Sequence, residues 1–567
     1  MNITDLFKNI FTYTPPTNYT FALPDIAMDN KTDIKDNTQT EKKEEKNISP
    51  NIDTNLNYVK TRYNLLINSD IITREFTLNA KGQQYKAFLL YIDGMVDSQI
   101  LNDFVLKSLM IHNNSNLSNN NKNRIISEAV DNNNVTIRKV KKFNLSDFIE
   151  SCLVPQNNIK QSNSFNEIIS GVNSGNCALF VDTLNIAYDI DVKGFKQRGI
   201  DKPENEIVIK GPHEAFVENI RTNTSLLRRF TNNENLVIES LDAGKITKTK
   251  CAVCYMQNIA NSDLVAEVKY RINNLDIDSL LSSGQLEQLI SDNNSLGLPK
   301  TISTERPDNA TQHLLEGRVI VLVNGSPFAL IFPSIMIDFL TSPEDRNLKT
   351  IFSNFLRVIR IISAFFALLL PGLYVSVTSF HIEILPTELL YSILAARESV
   401  PFPVIFEILI MEISFEIIRE ASLRVPSAIG STIGIVGALV IGQAAVSAGI
   451  VSPILIIIVA ITALSSFAIP DYSFSFHLRL FRFLFILLGY IAGFLGIGTG
   501  LFVYLSIICD MESFGVSYSI PYSSMENLKS TGVILPPIWK REYRASYLAA
   551  KRDKKQEKIS MKWKLGN

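Results

Sequence analysis

The sequence has few of the residues that build metal centres, disulfide frameworks and catalytic sites. Its 567 residues include only 5 cysteines and 5 histidines, and neither type is clustered. Cysteines that are scattered and odd in number indicate no disulfide framework. The dispersed histidines offer no metal cluster. The formal net charge of −1 gives no global case for nucleic-acid binding.

Familiar catalytic motifs are also missing. The chain has no P-loop, no GxSxG sequence and no GxGxxG sequence before a helix. Cys251 and Cys254 have metal or redox spacing, but they lie in the strand-like run KCAVCYM, where they would point to opposite faces. No second Cys or His pair is placed to complete a metal site with them, so we interpret both as core residues. The sequence therefore predicts no enzyme, no bound cofactor and no metal.

The N-terminal residues lack both a secretory signal and a core. MNITDLFKNIFTYTPP has no basic region followed by an apolar run, so we expect the first part of the chain to stay in the cytoplasm. Asp29–Asn57 is almost entirely Asn, Thr, Lys, Glu and Asp. Such a composition buries too little apolar surface to offset chain entropy. Residues 1–53 are therefore predicted to form a disordered tail.

Patterning beyond this tail predicts two soluble α/β subdomains, over residues 54–160 and 161–345. In the first, Ile71–Leu78 and Tyr85–Tyr91 have the alternation of strands, and so does Val135–Lys141. In the second, the predicted elements are a hairpin, a short strand, an amphipathic helix and a second hairpin around Asn324-Gly325. These elements cover, in order, Cys177–Asp182 with Leu184–Val192, Ile207–Ile209, His213–Phe230, and Arg318–Val323 with Pro327–Phe332.

Long apolar runs appear only in the last part of the chain and predict an all-α polytopic membrane domain over residues 350–510. About four runs are long enough to cross roughly 30 Å of hydrocarbon. They are Phe355–Ser379, Ile429–Gly449, Ser452–Ile469 and Phe481–Ile508. The charged run Phe402–Val425 is predicted to be an amphipathic or re-entrant helix. Residues 511–567 are predicted to be a basic cytoplasmic tail, because Lys and Arg favour that side.

Charged residues recur about every four positions within the predicted amphipathic or re-entrant helix. They are Glu407, Glu412, Glu416, Arg419, Glu420 and Arg424. On a helix this period places them along one stripe. Three interpretations remain open: the stripe lines an aqueous path or gate, it is solvated in the headgroup layer, or its charges pair with one another along the helix.

Two further sets of residues suggest contacts between helices or subunits. Small residues at every fourth position, at Gly430, Gly434, Ala438 and Gly442, predict close helix packing in lipid. A segment dense in charge precedes and enters the predicted helix His213–Phe230. Its candidates for a subunit contact are Arg198, Glu204, Glu206, Glu214, Arg228 and Arg229. The same charges could equally be solvated around a turn.

Two long blocks of this sequence resemble a known family. RGIDKPENEIVIKGPHEAFVENIRTNTSLLRRF, from Arg198, resembles a signature of the A subunits of bacterial spore germinant receptors, the GerA/GerKA family. PFPVIFEILIMEISFEIIREASLRVPSAIGSTIGIVGALVIGQAAVSAGIVSP, from Pro401, resembles the membrane signature of the same family. The likeness runs from about Cys177 to Trp539.

The resemblance implies a multi-pass protein of the inner spore membrane, with its soluble domains and C-terminal tail facing the cytoplasm or spore core. It implies a transporter-like B subunit and a lipoprotein C subunit as partners, together with homo-oligomers in the lipid bilayer. The net charge of −1 predicts no nucleic-acid partner. An A subunit of this kind would oligomerise and form or gate an ion path when a nutrient is sensed. The alternative is a non-conducting scaffold that assembles the partner subunits.

Overall fold

The computed structural model describes residues 21–23, 46–80, 83–111, 145–149, 158–194, 203, 205–292, 297–424, 442–520 and 534–556. Within these residues the chain forms two sheet domains followed by a helical region. Most of the predicted disordered tail lies outside the described residues, and so does the predicted strand Val135–Lys141.

The first domain is a five-stranded antiparallel sheet with helices on both faces. Its strand order is β1-β2-β4-β5-β3. Its elements are α1 (Ile52–Arg62), β1 (Ile71–Ala80), β2 (Gln83–Ile92), α2 (Ser98–Ile100, Leu101–Leu106 and Lys107–Ile111), α3 (Leu145–Phe148), β3 (Ile159–Ser162), α4 (Phe165–Asn173), β4 (Cys177–Val181) and β5 (Ala187–Ile190). Because side chains alternate along a strand, Phe88 packs under α1 and α4 while Leu89 packs under α2.

The second domain repeats this three-layer arrangement. Its strand order is β6-β7-β9-β10-β8. Its elements are α5 (Ile220–Thr231), β6 (Leu236–Ala243), β7 (Thr249–Met256), α6 (Ser262–Asn273), α7 (Ser283–Ile290), β8 (Ile302–Thr304), α8 (Pro307–Glu316), β9 (Val319–Val323) and β10 (Ala329–Phe332). The predicted hairpin around Asn324-Gly325 is confirmed as β9 and β10, which are fully buried strands inside this sheet.

Three sequence predictions need correction here. The predicted boundary at residue 160 is wrong, because β4 pairs with β2 and brings Cys177–Val181 into the first sheet. Ile207–Ile209 is not a strand, and the side chains of Ile207 and Ile209 are exposed. The helix predicted from His213 begins only at Ile220, because the Asn219 side chain caps it by accepting from the backbone N–H groups of Arg221 and Thr222.

A buried ion pair joins the two sheet domains. The Arg228 guanidinium on α5 donates to both carboxylate oxygens of Asp70, with Nε–Oδ2 and Nη2–Oδ1 distances of 2.7 and 2.8 Å. Beside it, the Asn68 side chain accepts from the backbone N–H of Ile238 on β6. A bidentate pair of this kind fixes orientation as well as distance, so the two domains meet at a defined contact.

The helical region begins directly after two short 3-10 turns, Met336–Leu340 and Pro343–Arg346. Its helices are α9 (Thr350–Phe380), α10 (Thr387–Arg397), α11 (Val404–Arg424), α12 (Pro453–Phe467) and α13 (Tyr472–Asp510). By length and composition, α9 and α13 could each cross a membrane, and α12 is a shorter apolar helix. The predicted span Ile429–Gly449 lies mostly outside the described residues.

Helix α13 is a helical hairpin rather than one straight rod. Gly493 has φ 60° and ψ −141°, which no helical residue adopts. The Tyr504 hydroxyl consequently lies 2.9 Å from Nε2 of His477, although a straight helix would separate these residues by about 40 Å. The predicted span Phe481–Ile508 is thus divided between two arms, residues 472–492 and 494–510.

The two arms of α13 begin and end beside the second sheet domain. At the start of the first arm, the Phe474 ring stacks on Phe339, with centroids 6.0 Å apart. After the second arm, the Tyr518 carbonyl accepts from the Met336 N–H at 2.9 Å, in the turn that follows the sheet domain. The tip at Gly493 instead lies against His381, at the far end of α9. Both arms therefore run alongside α9, and the chain returns to the domain from which α9 departs.

The segment after α13 packs back onto the second sheet domain. A small hairpin, β11 (Glu512–Ser513) with β12 (Val516–Ser517), lies against it, and the Ser513 hydroxyl donates to the Lys300 carbonyl. Further on, residues 534–556 dock on α8 and its surroundings, where Arg318 donates to the Tyr547 hydroxyl at 2.9 Å. The described part of the predicted basic tail is therefore attached to the domain.

Candidate functional site

Helix α11 carries the predicted charge stripe into the interior of the helical region. Glu407 lies beside Ser452 at the start of α12, and Arg419 lies beside Ser466 at its end. The helix therefore runs parallel to α12 along its length. The first arm of α13 passes in the opposite direction on its other side, with Arg482 near Glu412 and Arg479 near Glu416.

Three arginines and two glutamates meet between α11, α12 and the first arm. We call Glu412, Glu416, Arg419, Arg479 and Arg482 the charge cluster. Its shortest nitrogen–oxygen distances are 2.9 Å for Arg482–Glu412, 2.7 Å for Arg479–Glu416 and 3.3 Å for Arg482–Glu416. These pairs connect different helices, so the arginines of α13 act as partners for the glutamates of α11.

The side chains of this cluster are too buried to form a solvated helix face. The side chains of Glu412 and Arg482 are each only 1% exposed. A buried charge is tolerated only when it is paired, because desolvation costs several kcal/mol per ion. The structure therefore favours pairing among the three interpretations left open by the sequence, with partners on another helix rather than along α11 alone.

Arg419 is held differently from the other two arginines. Its Nη2 donates to the Ser466 hydroxyl at 2.7 Å, and its guanidinium carbon lies 4.1 Å from the ring centroid of Phe467. The nearest oxygen of Glu416 is 3.9 Å away. Arg419 thus rests on α12 and has only a long contact with a carboxylate.

The remaining stripe residues lie at the two ends of α11. Glu407 is 1% exposed, accepts from the Ser452 N–H at 3.1 Å, and lies 3.4 Å from Nη2 of Arg397 on α10. Glu420 is exposed on α11. The Arg424 side chain lies outside the described residues. Sequence patterning did not predict the partners Arg397, Arg479 and Arg482, although the two arginines within the apolar run SFHLRLFRF are a signal for buried partners.

A cavity of about 1050 Å³ separates the second sheet domain from these helices. We call it the junction cavity. Arg346, Arg360, Arg419 and Arg479 contribute to its wall, and so do the carboxyl groups of Glu206, Glu287, Asp338 and Asp471. The charge cluster therefore borders a polar cavity at the end of the helices that faces the sheet domain. The volume of this cavity is typical of a small-molecule site.

Two carboxyl groups on the sheet-domain side of the cavity have altered acidity. Burial raises the pKa of Glu287 to about 7, and the nearby Asp471 carboxylate adds to the effect. Burial also raises the pKa of Glu206 to about 7, although hydrogen bonds from Thr304 and the Glu305 N–H oppose the shift. Both groups would change charge near neutral pH.

The residues predicted to form helix or subunit contacts are only partly described. Gly442 is helical, and a Cβ at this position would lie 3.8 Å from Ile456 of α12. Gly430, Gly434, Ala438, Arg198 and Glu204 lie outside the described residues. Glu214 pairs with Arg229 within the chain, and Arg228 is committed to Asp70.

The cysteine pair is part of the core of the second domain. Cys251 and Cys254 are both fully buried and belong to the clusters on opposite faces of the sheet. Burial raises the pKa of Cys251 to about 12. Among the described residues no group of three or more His, Cys, Asp or Glu side chains could hold a metal ion.

Comparison with known proteins finds one family over most of the chain. The family profile described as Bacillus/Clostridium GerA spore germination protein matches residues 57–547. Spore germination protein KA of Bacillus subtilis is 35% identical over 516 residues, which is 91% of this chain and 90% of that protein. Spore germination protein B1 of the same organism is 38% identical over 477 residues, covering 83% of this chain and 92% of that protein.

Two other relatives are informative. An uncharacterized membrane protein of Bacillus subtilis, YfkQ, is 33% identical over 482 residues, covering 85% of this chain and 88% of that protein. The crystal structure of the N-terminal domain of the A subunit of the Bacillus megaterium spore germinant receptor GerK3 is 31% identical. The match covers 50% of this chain and 96% of the chain in that crystal structure, with a TM-score of 0.35.

Proposed function

The chain belongs to the GerA family of spore germination proteins, and from this we propose that it is the membrane A subunit of a nutrient-sensing germinant receptor. In this role it oligomerises and forms or gates an ion path that triggers germination. Its partners are a transporter-like B subunit and a lipoprotein C subunit. The chain is also similar to YfkQ, an uncharacterized membrane protein. A variant of the same proposal is therefore that the chain is a paralogue that responds to another trigger.

The charge cluster is the observation that supports an ion path. Ionisable groups inside a membrane segment are costly and typically mark pathways or gates. Here they run from Glu407, at the far end of α11, through Glu412 and Glu416 to the junction cavity. In the proposed mechanism the Arg479 and Arg482 pairs hold the path closed. Movement of the first arm of α13 away from α11 then frees the glutamates to attract cations.

The proposed membrane arrangement follows the directions of the helices. Helix α11 has 21 residues and would reach about 31 Å, enough to cross the hydrocarbon. We assign α9, α11, α12 and both arms of α13 as crossing segments. Because α11 and α12 run parallel, the chain must cross once more between them, and we assign this sixth crossing to the predicted span Ile429–Gly449, most of which lies outside the described residues. The fold-back at Gly493 returns the chain to the starting side, so the sheet domains and residues 534–556 share the cytoplasmic or spore-core face of the inner membrane.

The ion-path proposal is tested by neutralising its glutamates in spores. Glu416→Gln removes the charge that faces Arg479 and Arg482, and Glu412→Gln does the same for Arg482. With a weakened closed state, each variant should change the rate of potassium release severalfold after nutrient addition. The measurement is potassium in the medium over time, with protein level in the spore membrane followed by immunoblot.

Glu388→Gln is the matched control, because Glu388 lies on exposed α10 outside the charge cluster. It should release potassium at the wild-type rate. If both cluster variants are present at wild-type level and also release potassium normally, the ion-path proposal fails while receptor membership stands.

The second candidate function is a scaffold that holds the partner subunits without conducting. Exposed apolar side chains along α9, including Phe352, Phe355 and Phe366, favour a role in contacts with lipid or other helices. For a scaffold, Gly442→Leu would lose the partner subunits in a pull-down, and the Glu→Gln variants would leave potassium release unchanged. Purified chain in liposomes would then carry no current.

A further inference from the structure

The charge cluster contains more positive than negative charge. Arg482 pairs with Glu412 and Arg479 pairs with Glu416, both at short distances. Arg419 then has only the long 3.9 Å contact to Glu416. Arg479 and Arg482 repel Arg419, while Glu412, which already pairs with Arg482, attracts it. Within the described part of the chain, one guanidinium charge is therefore left without a close carboxylate of its own.

The contacts that Arg419 makes inside the chain do not cancel this charge. Its hydrogen bond to Ser466 and its position over the Phe467 ring orient the guanidinium group. A cation–π contact offsets only part of the cost of removing a lone ion from water. With its side chain 11% exposed, Arg419 is mostly withdrawn from water, and a mobile anion would offset that cost.

The junction cavity provides both the room and the donors for such an anion. Arg419 and Arg479 both line it. The Nε atom of each has no hydrogen-bond partner among the described residues, and the Arg479 side chain is only 5% exposed. The hydroxyl-bearing residues Ser473 and Ser475 line the same wall. Guanidinium N–H groups suit the oxygens of a phosphate group.

The opposite wall limits where the anion can lie. Glu206 and Glu287 line the cavity from the sheet domain. Asp471 lies on the helix side, at the start of α13, where its carboxylate accepts from the Phe474 N–H as the helix cap. The carboxylates of Glu206 and Glu287 would repel an anion, so the favourable position is against the helices, beside Arg419 and Arg479. This position is level with the end of α11 and the start of α13. In a bilayer crossed by these helices, lipid phosphates lie at that height.

We propose that a phosphate-bearing anion binds in the junction cavity against Arg419 and Arg479 and serves as the counter-ion of the charge cluster. Its source is either the headgroup of an anionic lipid or free phosphate. The site does not depend on ion conduction, since it requires only the charges and the cavity. Its failure in a binding experiment would therefore leave the receptor and ion-path proposals untouched.

The test measures thermal unfolding of the full chain, purified in a phosphate-free neutral detergent. One arm adds inorganic phosphate against chloride at equal ionic strength, and the other adds phosphatidylglycerol against phosphatidylcholine. A ligand that binds only the folded chain should raise the unfolding midpoint by about 2–4 °C. Arg419→Gln should abolish the rise, and Arg419→Lys, which keeps the charge but loses the planar fork, should reduce it.

Lys349→Gln is the matched control, because it removes an exposed positive charge beside α9 at the same end of the helices. It should keep the full rise. A rise with phosphate alone assigns the site to a free anion, and a rise with phosphatidylglycerol alone assigns it to a lipid headgroup. No rise with either probe, or an equal rise in Arg419→Gln, overturns the proposal.

A measurement without any added anion separates a counter-ion site from a structural ion pair. If Arg419 carries excess charge, Arg419→Gln should unfold at the wild-type midpoint or above it, because a costly charge has been removed. If the contact with Glu416 is instead a stabilising pair, the same variant should unfold several degrees lower. That lower midpoint would also overturn the proposal.

Discussion

At the scale of single residues, buried arginine–carboxylate pairs occur wherever two parts of the chain meet. Arg228 with Asp70 joins the sheet domains, and Arg360 with Asp345 joins α9 to the turn before it. Arg482 with Glu412 joins two helices. Such pairs add little net stability, but losing one partner leaves a buried charge at a cost of about 3–5 kcal/mol. They therefore define which surfaces come together.

The acidity of Glu287 makes the junction between sheet domain and helices sensitive to pH. Its pKa is raised from 4.5 to about 7, first by burial and then by Asp471. The folded chain therefore holds a proton that the unfolded chain releases near pH 4.5, and stability falls as pH rises from there to about 7. Glu287→Gln should remove this penalty, stabilising the chain by about 1–3 kcal/mol at pH 8 and having little effect at pH 4.5.

The measurement is the thermal midpoint of the purified full chain at pH 4.5 and pH 8. Glu398→Gln, at an exposed position directly after α10, is the control and should show no such pH-dependent gain. Asp471→Asn is informative because Asn caps a helix as well as Asp does. It should reproduce part of the gain at pH 8 by removing the second charge. Equal effects of Glu287→Gln at the two pH values would contradict the assignment.

Single residues were predictable from the sequence when their neighbours along the chain decided their environment. The alternation of the run around Cys251 and Cys254 was enough to place both in the core, on opposite faces. The stripe on α11 was visible for the same reason. Its partners were not, because Arg479 lies 63 residues from Glu416 along the chain. Only the packing of α13 against α11 brings them together.

At the scale of elements, the strands were easier to predict than the helices of the last region. Alternation and the Asn324-Gly325 turn identify β9 and β10, because hairpin geometry is local. The fold-back of α13 has no comparable local signal. Its apolar composition continues through Gly493, and glycines at 489, 493, 496 and 500 are also typical of straight packed helices.

The fold-back predicts a cross-link that a straight helix forbids. A Cβ at Gly500 on the second arm would meet the Leu488 side chain on the first. With Cys152 and Cys509 replaced by Ser, the pair Leu488→Cys and Gly500→Cys should form a disulfide under mild oxidation. In a straight helix their Cα atoms would be on the order of 18 Å apart, beyond the roughly 7 Å limit for a disulfide.

Gly498 provides the control for this cross-link. A Cβ there has no atom within 4 Å, so Leu488→Cys with Gly498→Cys should stay reduced under the same conditions. The readout is the mass of the peptide that contains both cysteines, with and without reductant. Absence of the 488–500 disulfide in membranes, or equal yields for both pairs, would refute the hairpin.

At the scale of the whole molecule, residues 534–556 connect the helices to the second sheet domain. The Asn354 side chain on α9 exchanges two hydrogen bonds with the backbone of Leu535, at 2.8 and 3.1 Å. Further along, the Lys551 N–H donates to the Ile259 carbonyl and Lys555 pairs with Glu316. The basic composition of this segment predicted a cytoplasmic tail but gave no sign of this docking, because composition does not report long-range pairing.

This docking predicts how the segment responds to a protease. Leu548 is fully buried, so Leu548→Asp places a charge where no water can solvate it and should release the segment from α8. Trypsin should then cleave the full chain after Lys551 and Arg552 at least about tenfold faster, since cleavage follows the population of the open form.

Ile534→Asp is the control, because Ile534 is 69% exposed in the same segment. Equal cleavage rates in the two variants would mean that the segment is not held by this contact. Faster cleavage of Leu548→Asp alone would show that this contact anchors the chain after α13 to the sheet domain that precedes α9.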